Sequence, residues 1–257
     1  MIDVGKARVL ATRASSASRF NSMEEMVRSG LRNRVLGSLA KADLGLLQPN
    51  LVPVTLNFRQ HLQSANRRIK AAYFPDSGIA SVVAIANGSR SQTEVAIVGC
   101  EGMTGVPVVL GAERSPCDVF IQVEGHGRCI AAEDLRSAMD QSASLTKTLL
   151  NYVHVFNVQS NYTALANAHG KLEERLARWL LMSQDRIADD QLVMTHEFLA
   201  LMLGVRRAGV TVALQHFEGR GCISTARGTI TIKDREESAN GLSGAPEAEY
   251  ERLFKAL

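Results

Sequence analysis

The chain has 257 residues, of which 46% are hydrophobic and 21% charged, a balance that supports a buried core and excludes a disordered or collagen-like chain. The 29 basic and 26 acidic residues leave a formal net charge of +3, which does not by itself indicate a nucleic-acid-binding protein. The four cysteines lie far apart without a Cys-x-x-Cys pair, so we expect a reducing, cytoplasmic location and no metal site. The longest uncharged run, 148–170, carries too many amide and imidazole side chains for a bilayer, so we expect no membrane partner.

The first 30 residues are rich in arginine and serine and lack the apolar stretch of a secretory signal, so the sequence predicts a flexible arm over 1–30. An organelle transit peptide is one alternative. Another is a true start at Met23, which would leave residues 1–22 outside the product. From Leu31 to Leu47 apolar residues recur at helical spacing, and the predicted helix ends before Pro49.

Short apolar runs separated by turn residues follow from Leu51 to Ile130. This spacing predicts the antiparallel strands of a sandwich or small barrel, and Asn87-Gly88 predicts a hairpin turn. Together with the preceding helix, the strands define a predicted domain over 31–140. The predicted strands are Val52–Val54, Ile69–Phe74, Ile79–Ala86, Val95–Val98, Val106–Leu110, Val119–Val123 and Arg128–Ile130.

Two helices are predicted next, over 132–139 and 144–168, with Ser142 or Ser144 as the cap of the longer one. Side chains on the long helix recur at alternating three- and four-residue steps, a seam typical of helix–helix packing. We expect the segment 141–169 to pair with its twin in a homodimer, and the alternative is a helix that lies on its own domain. The predicted dimerisation residues are Leu149, Tyr152, Val153, Phe156, Ser160 and Thr163.

Residues 192–232 have the spacing of a helix-turn-helix followed by a β-hairpin. Thr195 is placed to cap the first helix. Counted from His196, Ala200 is fifth, where a small side chain lets two helices approach. Gly204 is ninth, where the turn needs a positive φ. The spacing therefore predicts a recognition helix directly after this turn.

The recognition helix is predicted over 206–218 and begins with Arg206 and Arg207. At this end of such a helix, two guanidinium groups can bind phosphate or read guanine in the major groove. The sequence therefore predicts double-stranded DNA as a partner. The predicted DNA-binding residues are Thr195, His196, Arg206, Arg207, Ala208, Thr211, Val212, Gln215 and Arg227.

A β-hairpin with Arg227 at its tip follows the recognition helix and has the pattern of a wing. Between residues 204 and 235 six basic residues stand against two acidic ones, and the tail from Glu236 reverses the sign. A local basic excess of this kind is typical of a nucleic-acid-binding surface. We therefore expect a winged helix-turn-helix over 170–235 and a C-terminal tail over 236–257.

With these three parts in this order, the chain resembles the Crp/Fnr family of bacterial transcription regulators. The likeness is strongest over Lys171–Ile232, where Met194-Thr195-His196-Glu197-Phe198-Leu199-Ala200 and Leu203-Gly204-Val205-Arg206-Arg207 follow the family pattern, and weaker over Leu31–Met139. The resemblance implies an α+β fold with an N-terminal antiparallel β-roll, a long dimerisation helix and a C-terminal winged helix-turn-helix. It also implies a cytoplasmic homodimer that senses a signal, binds a two-fold symmetric DNA site and contacts RNA polymerase.

The residues that would read DNA depart from the family pattern. Family members place an Arg at the start of the recognition helix, a Glu just after it and a further Arg one turn on. Here Arg207 keeps the first position, but Ala208 and Val212 replace the other two. The resemblance therefore implies a DNA site different from that of the cyclic-AMP regulator.

The ligand cassette departs as well. The family grips a cyclic nucleotide with a Gly-Glu pair and a later Arg-Ser, where this chain has Gly102-Met103 and Arg114-Ser115. Met103 cannot accept a hydrogen bond from a ribose hydroxyl as a carboxylate does, although Glu101 could be a displaced substitute. We therefore predict no cofactor and favour an unidentified small-molecule effector, with a cyclic nucleotide or no ligand as alternatives. The candidate effector-pocket residues are Glu101, Gly102, Met103, Gly105, Arg114 and Ser115.

Other classes of function have little support in the sequence. It contains no Walker loop, no HExxH and no GxSxG, so we do not expect an enzyme. No cysteine precedes residue 100, which excludes an N-terminal iron–sulfur cluster. The remaining alternative is a ligand- or protein-binding module of the same fold that has lost specific DNA binding. Ala208 and Val212 keep this alternative open, because each replaces a polar side chain that would contact the DNA bases.

Overall fold

The computed structural model describes residues 31–85, 92–187 and 191–235. Within these ranges the chain forms seven strands in the first half, one long helix, and a small helical unit with three further strands. The predicted α+β fold class is confirmed. The arm 1–30, the Asn87-Gly88 turn and the tail 236–257 lie outside the described residues.

Two short helices, α1 (Arg34–Ser38) and α2 (Lys41–Leu47), stand where one helix was predicted. Asn33 caps α1, because its Oδ1 accepts a hydrogen bond from the Leu36 N–H at 3.1 Å. A short 3-10 turn, Gln48–Asn50, leads from α2 into the first strand. The two helices are separated at Leu39, whose extended backbone ends α1.

The strands form two antiparallel sheets. One has three strands in the order β1-β7-β3, and the other has four in the order β2-β6-β4-β5. Their inner faces meet in an apolar core that includes Leu56, Ala80, Val98 and Ile121. The strands are β1 (Val52–Leu56), β2 (His61–Gln63), β3 (Ala71–Pro75), β4 (Ile79–Ile85), β5 (Gln92–Val98), β6 (Cys117–Val123) and β7 (Gly125–Ala131).

One predicted strand is wrong. The apolar run Val106–Leu110 contains a helical turn, α3 (Val106–Val109), rather than a strand. Pro107 lies in its first turn, where the missing N–H costs no hydrogen bond, and Gly105 before it has a φ of +80°. Conversely, β2 was not predicted, since its three residues are too few to show an alternating pattern.

Two helices follow the sheets, α4 (Ala132–Gln141) and the 27-residue α5 (Ala143–His169). The predicted cap Ser142 is confirmed, because its Oγ accepts a hydrogen bond from the Leu145 N–H at 3.2 Å. Asp43 of α2 accepts hydrogen bonds from the hydroxyls of Ser142 and Ser144, at 2.5 and 2.7 Å. This carboxylate therefore fixes the start of α5 against the N-terminal helices.

Halfway along, α5 contacts the edge of the four-stranded sheet. Gln159 donates a hydrogen bond from Nε2 to the Ile97 carbonyl at 3.1 Å and accepts one from the Ile97 N–H at 2.7 Å. Both atoms belong to the free side of β5, which is the last strand of its sheet. The Gln159 amide thus takes the place that a neighbouring strand would occupy.

The C-terminal unit starts with α6 (Leu172–Gln184), which packs on the helix-turn-helix and its sheet. Two helices, α7 (His196–Leu203) and α8 (Arg207–Gly219), lie beside a three-stranded antiparallel sheet of order β8-β10-β9. The strands are β8 (Gln191–Val193), β9 (Ile223–Ala226) and β10 (Thr229–Ile232).

Buried polar contacts join α6 to the four-stranded sheet. The Trp179 indole donates a hydrogen bond to Glu94 Oε1 on β5 at 2.7 Å. Arg186, just beyond α6, forms a buried ion pair with Glu101, whose Oε1 lies 2.8 Å from the Arg186 Nε. The partners in each pair are 85 positions apart in the sequence. We call this contact, formed by Glu94, Trp179, Glu101 and Arg186, the junction.

Glu94 has an unusual environment within the junction. Burial raises the pKa of its carboxyl from the ordinary 4.5 to about 7, although Ser81, Trp179 and the charges of Arg186 and Arg178 act in the opposite direction. Ser81 Oγ lies 2.5 Å from both Glu94 Oε2 and Gln122 Oε1. One hydroxyl hydrogen can serve only one of these oxygens, so a protonated Glu94 satisfies both contacts.

Candidate nucleic-acid interface

The turn between α7 and α8 has the geometry that the sequence predicts. Thr195 caps α7, since its Oγ1 accepts a hydrogen bond from the Phe198 N–H at 3.2 Å. Gly204 ends α7 with a φ of +62°, a left-handed conformation that a side chain would disfavour. Arg206 lies directly before α8 with an extended backbone. Arg175 of α6 also donates a hydrogen bond to the Leu203 carbonyl at the end of α7.

The two helices are held by an apolar core shared with α6 and the small sheet. Ala200, at the predicted close approach, is buried in it. A packed apolar core fixes the angle of α8 and thereby the direction of its outer face. The buried core residues of α7 and α8 are Leu199, Ala200, Leu203, Val210, Ala213, Leu214 and Phe217.

The opposite face of α8 is open to solvent. Arg207, Ala208, Val212 and Gln215 are all exposed, and they form a stripe along a helix of about 20 Å. Arg206 is exposed beside the first turn of the helix. This stripe combines cationic, apolar and amide chemistry on one side of the helix.

Two of the predicted DNA-binding residues, His196 and Thr211, contact each other. The Thr211 hydroxyl donates a hydrogen bond to the Arg207 carbonyl at 3.2 Å and lies 3.0 Å from His196 Nδ1. Both side chains are half-buried. The pair therefore fixes the start of α7 against the first turns of α8, and the Thr211 hydroxyl is engaged within the protein.

The wing is attached directly to α8. Arg227 stands at its tip with a φ of +48°, next to Gly228 with a φ of +81°. Glu218 Oε1 accepts hydrogen bonds from the backbone N–H and the hydroxyl of Thr225, at 2.6 and 2.7 Å. One of the two acidic residues in the basic segment thus connects the end of the helix to the first strand of the wing. Sequence reasoning missed this contact, which has no local motif.

The basic residues of the segment do not all face outward. Arg235 forms an ion pair with Asp185 at 2.8 Å and donates a hydrogen bond to Gln184 Oε1 at 2.8 Å, so it is turned toward α6. Arg206, Arg207 and Arg227 are exposed. Arg220 at the end of α8 and Lys233 after β10 are exposed as well, so the exposed basic side chains lie at both ends of α8 and along the wing.

The six candidate effector residues are held mainly by contacts within the protein. Glu101 is buried in the junction, and a side chain at Gly102 would clash with the Tyr152 hydroxyl. Met103 is fully buried, whereas Arg114 is exposed and donates a hydrogen bond to the Asn66 carbonyl. The remaining two, Gly105 and Ser115, pack within the β-roll. Gly105 lies against Ala72, and Ser115 accepts a hydrogen bond from the Cys117 N–H.

No shared ligand site follows from this arrangement. The cavity between β5, α5, α6 and α7 is lined by Glu94, Trp179 and Met202, and none of the six candidate residues lines it. Among the described residues, no three His, Cys, Asp or Glu side chains cluster in a way that could hold a metal ion.

The predicted dimer seam on α5 faces its own protomer over much of its length. Leu149, Tyr152 and Val153 are buried, and the Tyr152 hydroxyl donates a hydrogen bond to the Met103 carbonyl at 2.9 Å. Phe156 packs against the core between the two sheets. Leu149, Tyr152 and Val153 therefore lie in the protomer's own core, and Phe156 is half-buried against it. Of the other two, Ser160 donates a hydrogen bond to the Phe156 carbonyl, and Thr163 accepts one from Arg178.

The outward face of α5 carries a different seam. Six exposed residues recur there at alternating steps of four and three, with Leu165 exposed beside them. This is the spacing of a two-helix contact. The members are Leu150, His154, Asn157, Asn161, Ala164 and Ala168.

No helix in the part of the chain that the structure describes is long and apolar enough to cross a bilayer.

Residues 174–237 match a family model described as a Crp-like helix-turn-helix domain. Among solved structures, a transcriptional regulator of the Crp/Fnr family from Eubacterium rectale is similar, with a TM-score of 0.64 and 18% identity, covering 82% of this chain and 98% of that one. FixK2 from Bradyrhizobium japonicum gives a TM-score of 0.66 at 14% identity, covering 76% and 98%. A CRP-family transcriptional regulator from Thermus thermophilus gives 0.63 at 16% identity, covering 76% and 99%. A comparison with curated protein sequences finds no match.

The fold and the exposed helix define a class of protein in which two packed antiparallel sheets are joined by one long helix to a winged helix-turn-helix. Within this class, the chain has the fold of the Crp/Fnr transcription regulators and carries a Crp-like helix-turn-helix domain over 174–237. The resemblance inferred from the sequence is confirmed for the fold and for the helix-turn-helix domain.

Proposed function

We propose that the protein is a homodimeric transcription regulator that binds a two-fold symmetric DNA site through α8 and the wing. The observation that carries the proposal is the exposed stripe of α8, which begins at two arginines and is flanked by the arginine at the tip of the wing. A rigid apolar core behind α8 holds this stripe in one orientation. An exposed helix of this kind fits the major groove of B-DNA.

Each arginine has its own role in this proposal. Arg207, the first residue of α8, enters the groove and reads guanine through two parallel hydrogen bonds. Arg206 and Arg227 lie at the edges of the surface and bind backbone phosphates, which raises the affinity for every DNA sequence alike. Arg235 takes no part, because Asp185 and Gln184 hold it.

The homodimer forms along the outward seam of α5. Leu150 and Leu165, on one side of the helix, are 44% and 47% exposed there. Pairing of two copies would bury both and place the two α8 helices about one turn of DNA apart. RNA polymerase is the further partner, and the two-sheet unit receives the signal, whose chemical identity the arrangement of the cassette residues does not specify.

Selection of genomic DNA fragments by the purified protein, followed by sequencing, tests the proposal. We expect an enriched inverted repeat. Arg207→Ala should weaken binding to this site by about 1–3 kcal/mol and relax the preference at one base pair per half-site. Arg67→Ala is the matched control, since Arg67 is an exposed arginine of the β-roll.

Two results would contradict the proposal. If no sequence is enriched and duplex binding does not depend on salt, the protein is a module of this fold without DNA binding. If Arg207→Ala binds the enriched site as tightly as the parent, the role given to Arg207 is wrong.

A further inference from the structure

The middle of the exposed stripe on α8 is apolar. Ala208 and Val212 are one helical turn apart and therefore lie on the same side of the helix. Val212 is 63% exposed, although the helix has a complete apolar core on its other side. Packing within the protein therefore gives no reason for a valine at this position.

The polar groups near these two side chains are either engaged or placed at the ends of the stripe. The Thr211 hydroxyl donates to the Arg207 carbonyl and lies next to His196, so it is not a free donor for a base edge. Arg207 stands at the start of the stripe and Gln215 one turn after Thr211. Between these two ends, the stripe presents only methyl groups.

Among the four bases, only thymine presents a methyl group in the major groove. Alanine and valine side chains make favourable contacts with this methyl and offer no hydrogen bond to the polar edges of guanine or cytosine. A guanine or cytosine edge packed against Val212 would lose its hydrogen bonds to water and gain none from the protein. We infer that Ala208 and Val212 recognise the 5-methyl groups of thymines, so that each half-site carries A·T pairs where these side chains face the bases. The inference rests on the proposed function.

Replacement of thymine by uracil removes the methyl group and leaves the hydrogen-bonding edge of the base unchanged. The probe is the duplex recovered in the selection experiment, with deoxyuridine placed at one thymine position in both half-sites at a time. Burial of one methyl is worth about fourfold in affinity, so a symmetric replacement should weaken binding about fifteenfold at the positions that these side chains face. Elsewhere in the site it should have no effect.

Protein variants connect the effect to the two residues. In Val212→Ala, uracil in both half-sites should weaken binding less than about twofold at the position that Val212 faces. The reason is that the two Cγ methyls of the valine, which contact the thymine methyl, are absent. Ala208→Ser should reduce the loss at a different position, since a hydroxyl replaces part of the apolar contact. Val52→Ala is the matched control, because Val52 is a 55% exposed valine of the β-roll, and it should keep the full sensitivity.

The outcomes are distinguishable. If the selected site is bound as tightly with uracil at every thymine position, the inference is wrong while the proposed function stands. The inference is also wrong if uracil weakens binding equally in the parent, Val212→Ala and Ala208→Ser, since other groups then contact the methyls. If no site is selected, the proposed function itself fails.

Discussion

Replacement of Glu94 by glutamine should make the stability of the protein less dependent on pH. The folded-state pKa of this carboxyl is raised from 4.5 to about 7 by burial, so the folded chain keeps a proton that the unfolded chain releases between these values. The contribution of Glu94 to stability is therefore complete below pH 4.5 and is lost as the pH rises through about 7. Glutamine has no proton to lose, and its amide can accept from Trp179 and donate to Ser81.

The size of the effect follows from the two pKa values. One pH unit is worth about 1.4 kcal/mol, so the interval from 4.5 to about 7 corresponds to roughly 3 kcal/mol. The nearby charges of Arg178 and Arg186 already lower the pKa, so their attraction is included in this figure. Between about pH 5 and about pH 8, most of it, about 2–3 kcal/mol, should appear as a difference between the two proteins.

Urea unfolding at these two pH values, at one protein concentration, measures the difference. Glu124→Gln is the matched control, since Glu124 is an exposed glutamate near the end of the same sheet. The parent and Glu124→Gln should lose stability in parallel toward high pH, and Glu94→Gln should lose about 2–3 kcal/mol less. If the unfolding free energy of Glu94→Gln changes with pH as that of the parent does, Glu94 does not carry the proton.

Two further substitutions test the junction and the dimer. Arg186→Ala should lower the unfolding free energy by about 3–5 kcal/mol, because it leaves the buried Glu101 carboxylate without its cation. Adding Glu101→Gln should restore part of the loss. An effect below about 1 kcal/mol, roughly that of a surface pair, would show that the pair is not buried in solution. Leu150→Arg should raise the dissociation constant of the dimer about 100-fold in analytical ultracentrifugation, whereas Leu110→Arg, at a 58% exposed leucine of the β-roll, should not. An unchanged dimer in Leu150→Arg would exclude the outward seam.

The parts of the molecule that sequence reasoning predicted well are specified by local signals. The cap at Thr195 and the left-handed turn at Gly204 follow from residue types at fixed spacing, and both are confirmed. The order of strands, long helix and winged unit also follows from changes of periodicity along the chain. Apolar composition alone was a weaker guide, since the run around Pro107 reads equally well as a strand or a helical turn, and it forms the turn.

The parts that could not be predicted depend on contacts between distant positions. Glu94 and Trp179 are separated by 85 positions, and no local pattern relates them. On α5, both faces satisfy a three- and four-residue repeat, so periodicity showed that the helix packs but not which face meets the protomer's own sheets. Burial of Leu149 and Tyr152, and exposure of Leu150, show that the face with Leu149 and Tyr152 packs on the protomer's own sheets.

The amide of Gln159 has a consequence for how copies of the protein behave in a crowded solution. The last strand of an open sheet presents backbone groups that can recruit a strand from another molecule and start aggregation. Gln159 occupies the N–H and the carbonyl of Ile97, near the C-terminal end of β5 on its unpaired side. A single side chain from the helix thereby blocks strand addition at this end of the edge.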